Sequence, residues 1–125
     1  VGFSLNNFSS SADFSACSTY IRQVMGKIVE EPLPQGVCLN VNIPATEQKN
    51  IKGIRICRQS RGNWKEEFEK RKDPMGKTYY WLTGLFINHE PDAEDTDEWA
   101  LANNFVSVVP QLIQPNASSR NLMYF

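Results

Sequence analysis

One histidine, three cysteines and a run of carboxylates are the residues of this 125-residue chain that could support catalysis or metal binding. His89 lies in a loop beside Asn, Glu and Pro, so a histidine-centred triad or metal site would depend on one exposed turn residue. Cys17, Cys38 and Cys57 are too far apart for a CxxC metal or redox motif. Spacing alone therefore identifies no catalytic residue and no metal ligand.

The acidic segment from Glu90 to Glu98 carries six carboxylates. Its carboxylates could bind a hard cation through oxygen ligands. However, the segment lacks the glycine and the regular ligand spacing of an EF-hand loop. We favour a solvated loop that leads into a short helix, residues 96–102, capped by Thr96 or Asp95. Acidic residues stabilise the first turn of a helix, which explains their position here.

Two amide side chains on one strand are the remaining candidates for ligand binding. In the stretch VCLNVNIP, apolar residues alternate with polar ones, which predicts a strand that ends at Pro44. Asn40 and Asn42 then share one face near the carboxyl end of the strand, where the ligands of parallel α/β sheets gather. We therefore treat them as candidate substrate-binding residues. The alternative is that their amides only hydrogen-bond neighbouring loops.

The composition is that of a globular domain with no general attraction to anionic partners. The chain is 41% hydrophobic and 22% charged, with a formal net charge of −1. The basic residues Lys70, Arg71 and Lys72 are interleaved with glutamates, so we expect no binding to duplex nucleic acid. No stretch approaches the length of a membrane span, and an odd number of cysteines in apolar contexts favours buried free thiols. These features predict a cytoplasmic protein that does not contact a membrane.

Hydrophobic periodicity predicts the elements that hold these residues. A strand at 2–6, a helix from Asp13 to about Val29 and a strand at 37–43 form a βαβ unit, which implies a mostly parallel sheet. Ser10 or Ser11 is the expected N-cap of the helix. The chain is then one fragment, 1–125, made of a βαβ unit with a following strand (1–62), a hairpin (63–86), a helix and strand (95–110, stopped by Pro110) and an irregular tail (111–125).

The stretch DPMGKTYYWLTG predicts the turn and the second strand of the hairpin. Pro74 and Gly76 suit a tight turn, and the residues that follow are β-branched or aromatic. A two-stranded ribbon can hide only one face against its own domain, so bulky side chains on both faces need a second cover. Tyr and Trp suit a subunit interface because they combine a large apolar area with a polar tip. Alternatively, alternate residues such as Tyr79 and Trp81 cover the chain's own core, or one face does each.

Four stretches resemble, in order and spacing, the C-terminal half of the SurE survival-protein nucleotidases, a 5′/3′-nucleotidase and acid phosphatase family. They are GFSLNN, LNVNIP, RKDPMGKTYYWLTG and DTDEWALANNFVSVVP. The third and fourth are the specific ones, although Met75 replaces the usual Arg, and Asn104 and Phe105 replace the usual Gly-Tyr. The resemblance covers residues 1 to about 110.

This resemblance implies an α/β fold: the C-terminal portion of a SurE-like Rossmann-type three-layer α/β/α fold with a projecting β-hairpin. It implies a parent protein that hydrolyses nucleoside monophosphates with a divalent metal, Mg²⁺ or Mn²⁺. The family's metal ligands, an Asp-Asp pair followed by Ser and Asn, lie upstream of Val1, so no metal or catalytic residue is assigned and no metal is expected in this segment. It also implies a homo-oligomer, a dimer or tetramer, whose interface includes Thr78, Tyr79, Tyr80, Trp81 and Leu82.

A second class of function stays open at this point. The chain could be a non-catalytic oligomerisation module built on the hairpin. In the family, the segment after Pro110 leads into a helix that swaps into a partner subunit. Here the stretch LIQPNASSRNLMYF contains Pro115 and a Ser pair and does not predict a helix. The sequence therefore does not support subunit exchange through this tail.

Overall fold

The computed structural model describes residues 1–113, which form a mixed α/β domain. The elements in chain order are β1 (Gly2–Leu5), α1 (Cys17–Glu30), β2 (Val37–Ile43), β3 (Gly53–Ile56), β4 (Gly62–Lys72), β5 (Thr78–Asn88), α2 (Asp97–Ala102) and β6 (Phe105–Leu112), with one 3₁₀ turn at Gln48–Asn50. The predicted order of elements is confirmed, although several boundaries differ.

A four-stranded sheet with the order β1-β2-β6-β3 forms the centre of the domain. β1 pairs with β2 in parallel and β3 pairs with β6 in parallel, whereas β2 and β6 are antiparallel. The βαβ unit made of β1, α1 and β2 is therefore confirmed. The sheet is mixed because β6 returns between β2 and β3 in the direction opposite to β2.

The main core lies between α1 and one face of the sheet. Cys17, Tyr20 and Val24 recur every three or four residues along α1, so they form one buried stripe. The stripe packs against alternate residues of β2 and β6, among which Ile43 and Val106 are at most 1% exposed. Successive residues of a strand point to opposite faces, so this packing directs Asn40 and Asn42 to the other face.

The opposite face of the sheet is covered in part by α2. Ala100 of α2 packs with Cys57 and Val109, and Phe105 borders this smaller core. The sheet thus lies between α1 and α2, in the expected three-layer α/β/α arrangement. On the α1 side, an apolar groove of about 1,030 Å³ remains beside the helix over β3 and β6, and Ile56 lies in it, 79% exposed.

The two helices differ at their N-termini, since only α2 has a side-chain N-cap. α1 begins at Cys17, four residues later than predicted, and its N-cap residue Ala16 makes no side-chain cap, so neither Ser10 nor Ser11 has the expected role. α2 begins as predicted, because Thr96 Oγ1 accepts a hydrogen bond from the Trp99 amide at 3.3 Å. Asn104 follows α2 with a φ of 63°, in the left-handed region that often ends a helix.

β6 continues past Pro110 to Leu112, so the prediction that Pro110 ends this strand was wrong. β2 pairs with β6 up to Leu112, whereas β3 pairs with it only up to Val108. At Pro110 one edge of β6 is therefore unpaired, and an edge position tolerates a missing amide hydrogen. The predicted irregular tail thus begins after β6, and residues 114–125 lie outside the described part of the chain.

β4 and β5 form the predicted hairpin, slightly longer than expected at both ends. Gly76 in the turn has a φ of 81°, and Asp73 Oδ1 accepts hydrogen bonds from the amides of Met75 and Lys77. These features explain the turn sequence, since glycine tolerates a positive φ and aspartate often caps a turn. The hairpin forms a separate two-stranded sheet, and none of its residues belongs to either core cluster. The alternative that Tyr79 and Trp81 cover the chain's own core is therefore wrong.

Candidate functional site

The carboxyl ends of β1 and β2 meet at one edge of the sheet and border a polar recess. The loops that follow these strands approach each other there, and Asn6 donates a backbone hydrogen bond to the Ile43 carbonyl at 2.8 Å. The recess has a volume of about 380 Å³ and is lined by Asn7, Asp13, Ala45, Thr46, Glu47 and Asn50. Ligands of open α/β sheets bind outside the carboxyl ends of parallel strands, so this edge is the candidate functional site.

Asp13 contributes one of the two carboxylates of the recess. Its side chain accepts hydrogen bonds from the amide and the hydroxyl of Ser15, both at 2.9 Å. These bonds lower the pKa of the Asp13 carboxyl, the backbone bond more than the side-chain bond. Glu47 is the second carboxylate of the recess, and Lys49 Nζ pairs with it at 2.6 Å. Asn7 and Asn50 supply neutral amide groups at the same edge.

Asn40 and Asn42 lie on the sheet face opposite α1, and neither lines the recess. The Asn42 Oδ1 atom accepts a hydrogen bond from the Ser4 hydroxyl of the neighbouring strand β1. Both asparagines are half-buried. Asn42 thus bonds to a neighbouring strand, and its assignment to substrate binding remains a prediction, as does that of Asn40.

A row of polar residues crosses this face of the sheet at the level of Asn42. The strand register aligns Ser4, Asn42, Ser107 and Arg55, one from each strand. The Ser107 hydroxyl is fully buried and has no hydrogen-bond partner within residues 1–113. An unsatisfied buried hydroxyl costs about 1–3 kcal/mol, so a polar group that reached this point would gain a hydrogen bond.

The base of the hairpin is held by a charged cluster that the sequence did not reveal. Arg58 donates from Nε to Asp95 at 2.7 Å and from Nη2 to both Glu90, at 3.1 Å, and Asp95, at 3.0 Å. The Arg61 amide also donates to Glu90 at 2.7 Å. The segment before β4 is thereby tied to the segment after β5. Two carboxylates of the acidic run are thus engaged by an arginine rather than only solvated.

The cluster makes the stability of the hairpin base dependent on pH. The Arg58 guanidinium is the main cause that lowers the pKa of Glu90 to about 2, from an ordinary value of 4.5. Because the folded pKa is depressed, the contribution of Glu90 is fully present above pH 4.5 and is lost as the pH falls towards 2. We expect Glu90→Gln to lower the melting temperature by a few degrees at pH 7. The difference from the unmodified chain should shrink as the pH falls through this window.

The matched control is Glu94→Gln, because Glu94 is an exposed carboxylate in the same loop. Melting curves of both variants and of the unmodified chain at pH 7, 5, 4 and 3 test the prediction. A Glu90→Gln difference that stays constant with pH, or one that Glu94→Gln matches, would contradict it.

The hairpin has two chemically different faces, because directly opposed residues of β4 and β5 share a face. The apolar hairpin face carries Trp64, Phe68, Tyr80, Leu82 and Phe86, with Lys70 and Lys72 on the same face next to the turn. The mixed hairpin face carries Lys65, Glu67, Glu69, Arg71, Tyr79, Trp81, Leu85 and Ile87. Large apolar side chains on both faces are exposed to solvent. Of the five residues predicted to form a subunit interface, Thr78, Tyr80 and Leu82 lie on the apolar face and the other two on the mixed face.

The described residues do not fit a divalent metal centre. Within residues 1–113, no three His, Cys, Asp or Glu side chains are close enough to hold an ion. His89 is an exposed loop residue, as expected. Cys17 and Cys57 are buried free thiols, and burial raises the pKa of both, which makes them poor nucleophiles. Cys38 is half-buried and also free.

Neither α1 nor α2 is long and apolar enough to cross a membrane, and the described part of the chain has no further α-helix.

The recess residues could have been found from the sequence by one rule. Asn7 follows β1 closely, and Thr46 and Glu47 follow β2, so both groups lie just after strands that the βαβ pattern predicts to be parallel. The role of Arg58 was harder to predict from the sequence, since its partner Glu90 is separated from it by the whole hairpin.

Comparison with known proteins places this geometry in one family. Residues 1–66 match the family model of the survival protein SurE. The 5′-nucleotidase SurE of Flavobacterium psychrophilum is 50% identical over 110 residues, which is 88% of this chain and 42% of that protein. The 5′-nucleotidase SurE of Phocaeicola vulgatus is 47% identical over 117 residues, which is 94% of this chain and 45% of that protein.

The fold is similar to that of a solved member of the same family. The crystal structure of the SurE protein from Aquifex aeolicus matches with a TM-score of 0.70 and 30% identity, over 98% of this chain and 50% of that one. This chain thus spans about half the length, or less, of the proteins that it matches. The βαβ unit, the Asn-x-Asn-x-Pro strand end and the projecting hairpin are therefore parts of a Rossmann-type α/β fold, and the chain belongs to the SurE family.

Proposed function

We propose that this chain forms part of a metal-dependent phosphatase that hydrolyses nucleoside 5′- and 3′-monophosphates to nucleoside and phosphate, in the cytoplasm. The observation that carries the proposal is the 50% identity, over 110 residues, to a protein named 5′-nucleotidase SurE. The exposed, hydrophilic recess at the carboxyl ends of β1 and β2 supports it, since a nucleotide needs an open polar edge of the sheet.

In this proposal the chain positions the substrate and does not perform the metal chemistry. The described residues do not fit an Mg²⁺ or Mn²⁺ ion. The Asp13 carboxylate would repel a phosphate, so the recess suits the ribose or the base, whose hydroxyl and amine groups can donate to it. Asn40 and Asn42 are retained as candidate substrate contacts. The carboxylates that hold the metal would come from the part of the protein that this chain does not span.

A chimera tests whether this chain binds the substrate while the rest of the protein binds the metal. The part of the Flavobacterium psychrophilum relative that this chain does not match is joined upstream of Val1, and phosphate release from nucleoside monophosphates is measured with Mg²⁺ or Mn²⁺. We expect the chimera to exceed the 125-residue chain alone by roughly a thousandfold or more, because a catalytic metal contributes several kcal/mol to transition-state stabilisation. Chelation should abolish the activity.

The controls separate the parts of the proposal. Repurified 125-residue chain that turns over substrate by itself would contradict the assignment of the metal chemistry to the rest of the protein. A folded but inactive chimera would contradict the nucleotidase assignment. Asp13→Asn in the chimera should raise KM and leave kcat close to unchanged if the recess only binds substrate.

A second candidate function is that of a homo-oligomerisation module, as a dimer or tetramer. The exposure of large apolar side chains on the hairpin favours it, because monomeric proteins rarely leave such patches uncovered. The two functions are compatible within one protein. They are distinguished by the chimera assay on one side and by the assembly state on the other.

A further inference from the structure

We propose that Phe8 is a stacking surface for the base of the nucleotide, beside the polar recess that receives the ribose, and that the site therefore accepts different bases. This inference rests on the proposed nucleotidase function and names the residue that binds the base. The ligand is a nucleoside, bound by its ring system at Phe8 and by its hydroxyl groups at the recess.

The loop between β1 and α1, residues 6–16, carries two polar residues of the recess and two exposed aromatic residues. Asn7 and Asp13 line the recess. Phe8 directly follows the first of them and is 100% exposed, and Phe14 directly follows the second and is 60% exposed. Two large apolar rings are thus held in solvent at the carboxyl ends of the parallel strands, where ligands of α/β sheets bind.

The recess by itself is too small and too polar for a whole nucleotide. Its volume of about 380 Å³ is close to the lower limit for small-molecule sites, which is about 300 Å³. Of its six lining residues only Ala45 is apolar. Such a lining can form hydrogen bonds with sugar hydroxyls, but it offers little apolar surface to the flat faces of a base. A base attached to a ribose in the recess therefore lies at the rim, where an aromatic side chain can cover it.

The backbone on both sides of Phe8 is fixed by local hydrogen bonds. Asn7 Oδ1 accepts a hydrogen bond from the Ser9 amide at 2.9 Å, and the Asn7 amide donates to the Leu5 carbonyl at 2.7 Å. The Ser9 carbonyl accepts from the Ala12 amide at 3.2 Å. Within residues 1–113 no side chain covers Phe8. Binding of a base at Phe8 therefore breaks no contact within the described chain, and little backbone freedom is lost.

Phe14 is the competing aromatic residue, and its position suits a base less well. Its carbonyl accepts a hydrogen bond from the Cys17 amide at 3.0 Å, so Phe14 belongs to the turn that leads into α1. Part of its side chain is also already covered by the chain. The fully exposed ring of Phe8 offers a larger free surface, so we assign the stacking contact to Phe8.

Stacking on Phe8 predicts a site that tolerates different bases. Every base has an aromatic face, and stacking on an aromatic side chain depends little on which base is present. A site built to hydrogen-bond the edge of one base would instead reject the bases that lack the matching group.

The test compares, in the chimera, a nucleotide with a substrate that lacks the base. The base preference is the ratio of kcat/KM for adenosine 5′-monophosphate to kcat/KM for ribose 5-phosphate. We expect a base preference of about tenfold or more in the unmodified chimera, close to one in Phe8→Ala and nearly unchanged in Phe8→Tyr, which keeps the aromatic ring. The loss should arise from a higher KM for the nucleotide, with the kinetics of ribose 5-phosphate unchanged. The four common nucleoside 5′-monophosphates should differ by less than about fivefold.

Phe14→Ala and Val29→Ala are the controls. Val29 is an apolar residue of α1 that is 77% exposed and does not line the recess. Both variants should keep the base preference within about threefold, since exposed positions outside a contact contribute little. A stronger effect of Phe14→Ala than of Phe8→Ala would overturn the choice of residue. An unchanged base preference in Phe8→Ala, or an unmodified chimera without a base preference, would overturn the stacking site.

A binding measurement separates this inference from the proposed function. Adenosine has no phosphate to hydrolyse, and NMR of the 125-residue chain follows the Phe8 ring signals, assigned by their loss in Phe8→Ala, during an adenosine titration. A stacked base should shift these signals, whereas ribose alone should leave them unchanged. An inactive chimera would contradict the nucleotidase assignment, whereas Phe8 signals that do not respond to adenosine would contradict the stacking contact.

Discussion

Ile43→Ala is expected to destabilise the folded chain by about 2–5 kcal/mol, the usual cost of truncating a buried isoleucine. Ile43 is 1% exposed and lies in the core between β2 and α1. Alanine removes three carbon atoms there and leaves a cavity that the surrounding side chains fill only in part. A domain of this size has a total stability of about 5–15 kcal/mol, so a large share of it would be lost. Urea unfolding followed by circular dichroism measures the effect.

Ile56→Ala is the matched control, because both isoleucines lie on strands of the same sheet and face the same side. Ile56 is 79% exposed in the groove beside α1, and its truncation should cost no more than about 0.5 kcal/mol. If the two variants lost similar stability, the groove would have to be covered by another part of the molecule in solution.

Gly62→Ala is expected to open the base of the hairpin and leave the four-stranded sheet intact. A Cβ atom at position 62 would stand 2.5 Å from the Ile87 carbonyl oxygen and would also meet the Phe86 ring. The ring can rotate, but the carbonyl belongs to the paired strand, so β4 and β5 must separate. Overpacking of this kind costs about 1–3 kcal/mol. Hydrogen exchange of the β4 and β5 amides should therefore accelerate by about tenfold or more, whereas β2 amides stay protected.

Gly2→Ala serves as the control for the glycine substitution. Gly2 also lies in a strand, and an added Cβ there meets no atom within 4 Å. This variant should keep the exchange rates of the unmodified chain. If hydrogen exchange in the Gly62→Ala variant accelerated in β2 as well as in the hairpin, the hairpin and the sheet would unfold as one unit. That result would contradict the expectation.

The parts of the fold that the sequence predicted are those encoded in local patterns. The alternation in VCLNVNIP identified β2, and the spacing of Cys17, Tyr20 and Val24 identified the buried face of α1. The start of α1 was missed because the side chain of Asp13 caps a local turn at Ser15 instead of the helix. Local sequence patterns do not distinguish a helix N-cap from such a turn, since Asp and Ser are favoured in both.

The candidate site was harder to predict because it depends on contacts between distant segments. Asp13 and Glu47 share a recess only after β1 and β2 have paired. Arg58 binds Glu90 only after the hairpin has brought the two segments together. The difference between the hairpin faces also needs the register of β4 and β5, which the sequence does not state directly.

The hairpin, which buries nothing in the core, alters the order in which the chain can fold. β3 ends at Ile56 and its partner β6 begins at Phe105, with the whole hairpin between them. When β4 and β5 are paired, the His89 amide donates to the Arg61 carbonyl at 2.9 Å. The effective length of the loop that must close before β3 and β6 can pair is then reduced by roughly half. Each halving of a loop saves about 0.6 kcal/mol of closure entropy. Hairpins form within about 1–10 μs, so we expect β4 and β5 to pair early and to lower the entropy cost of pairing β6 with β3.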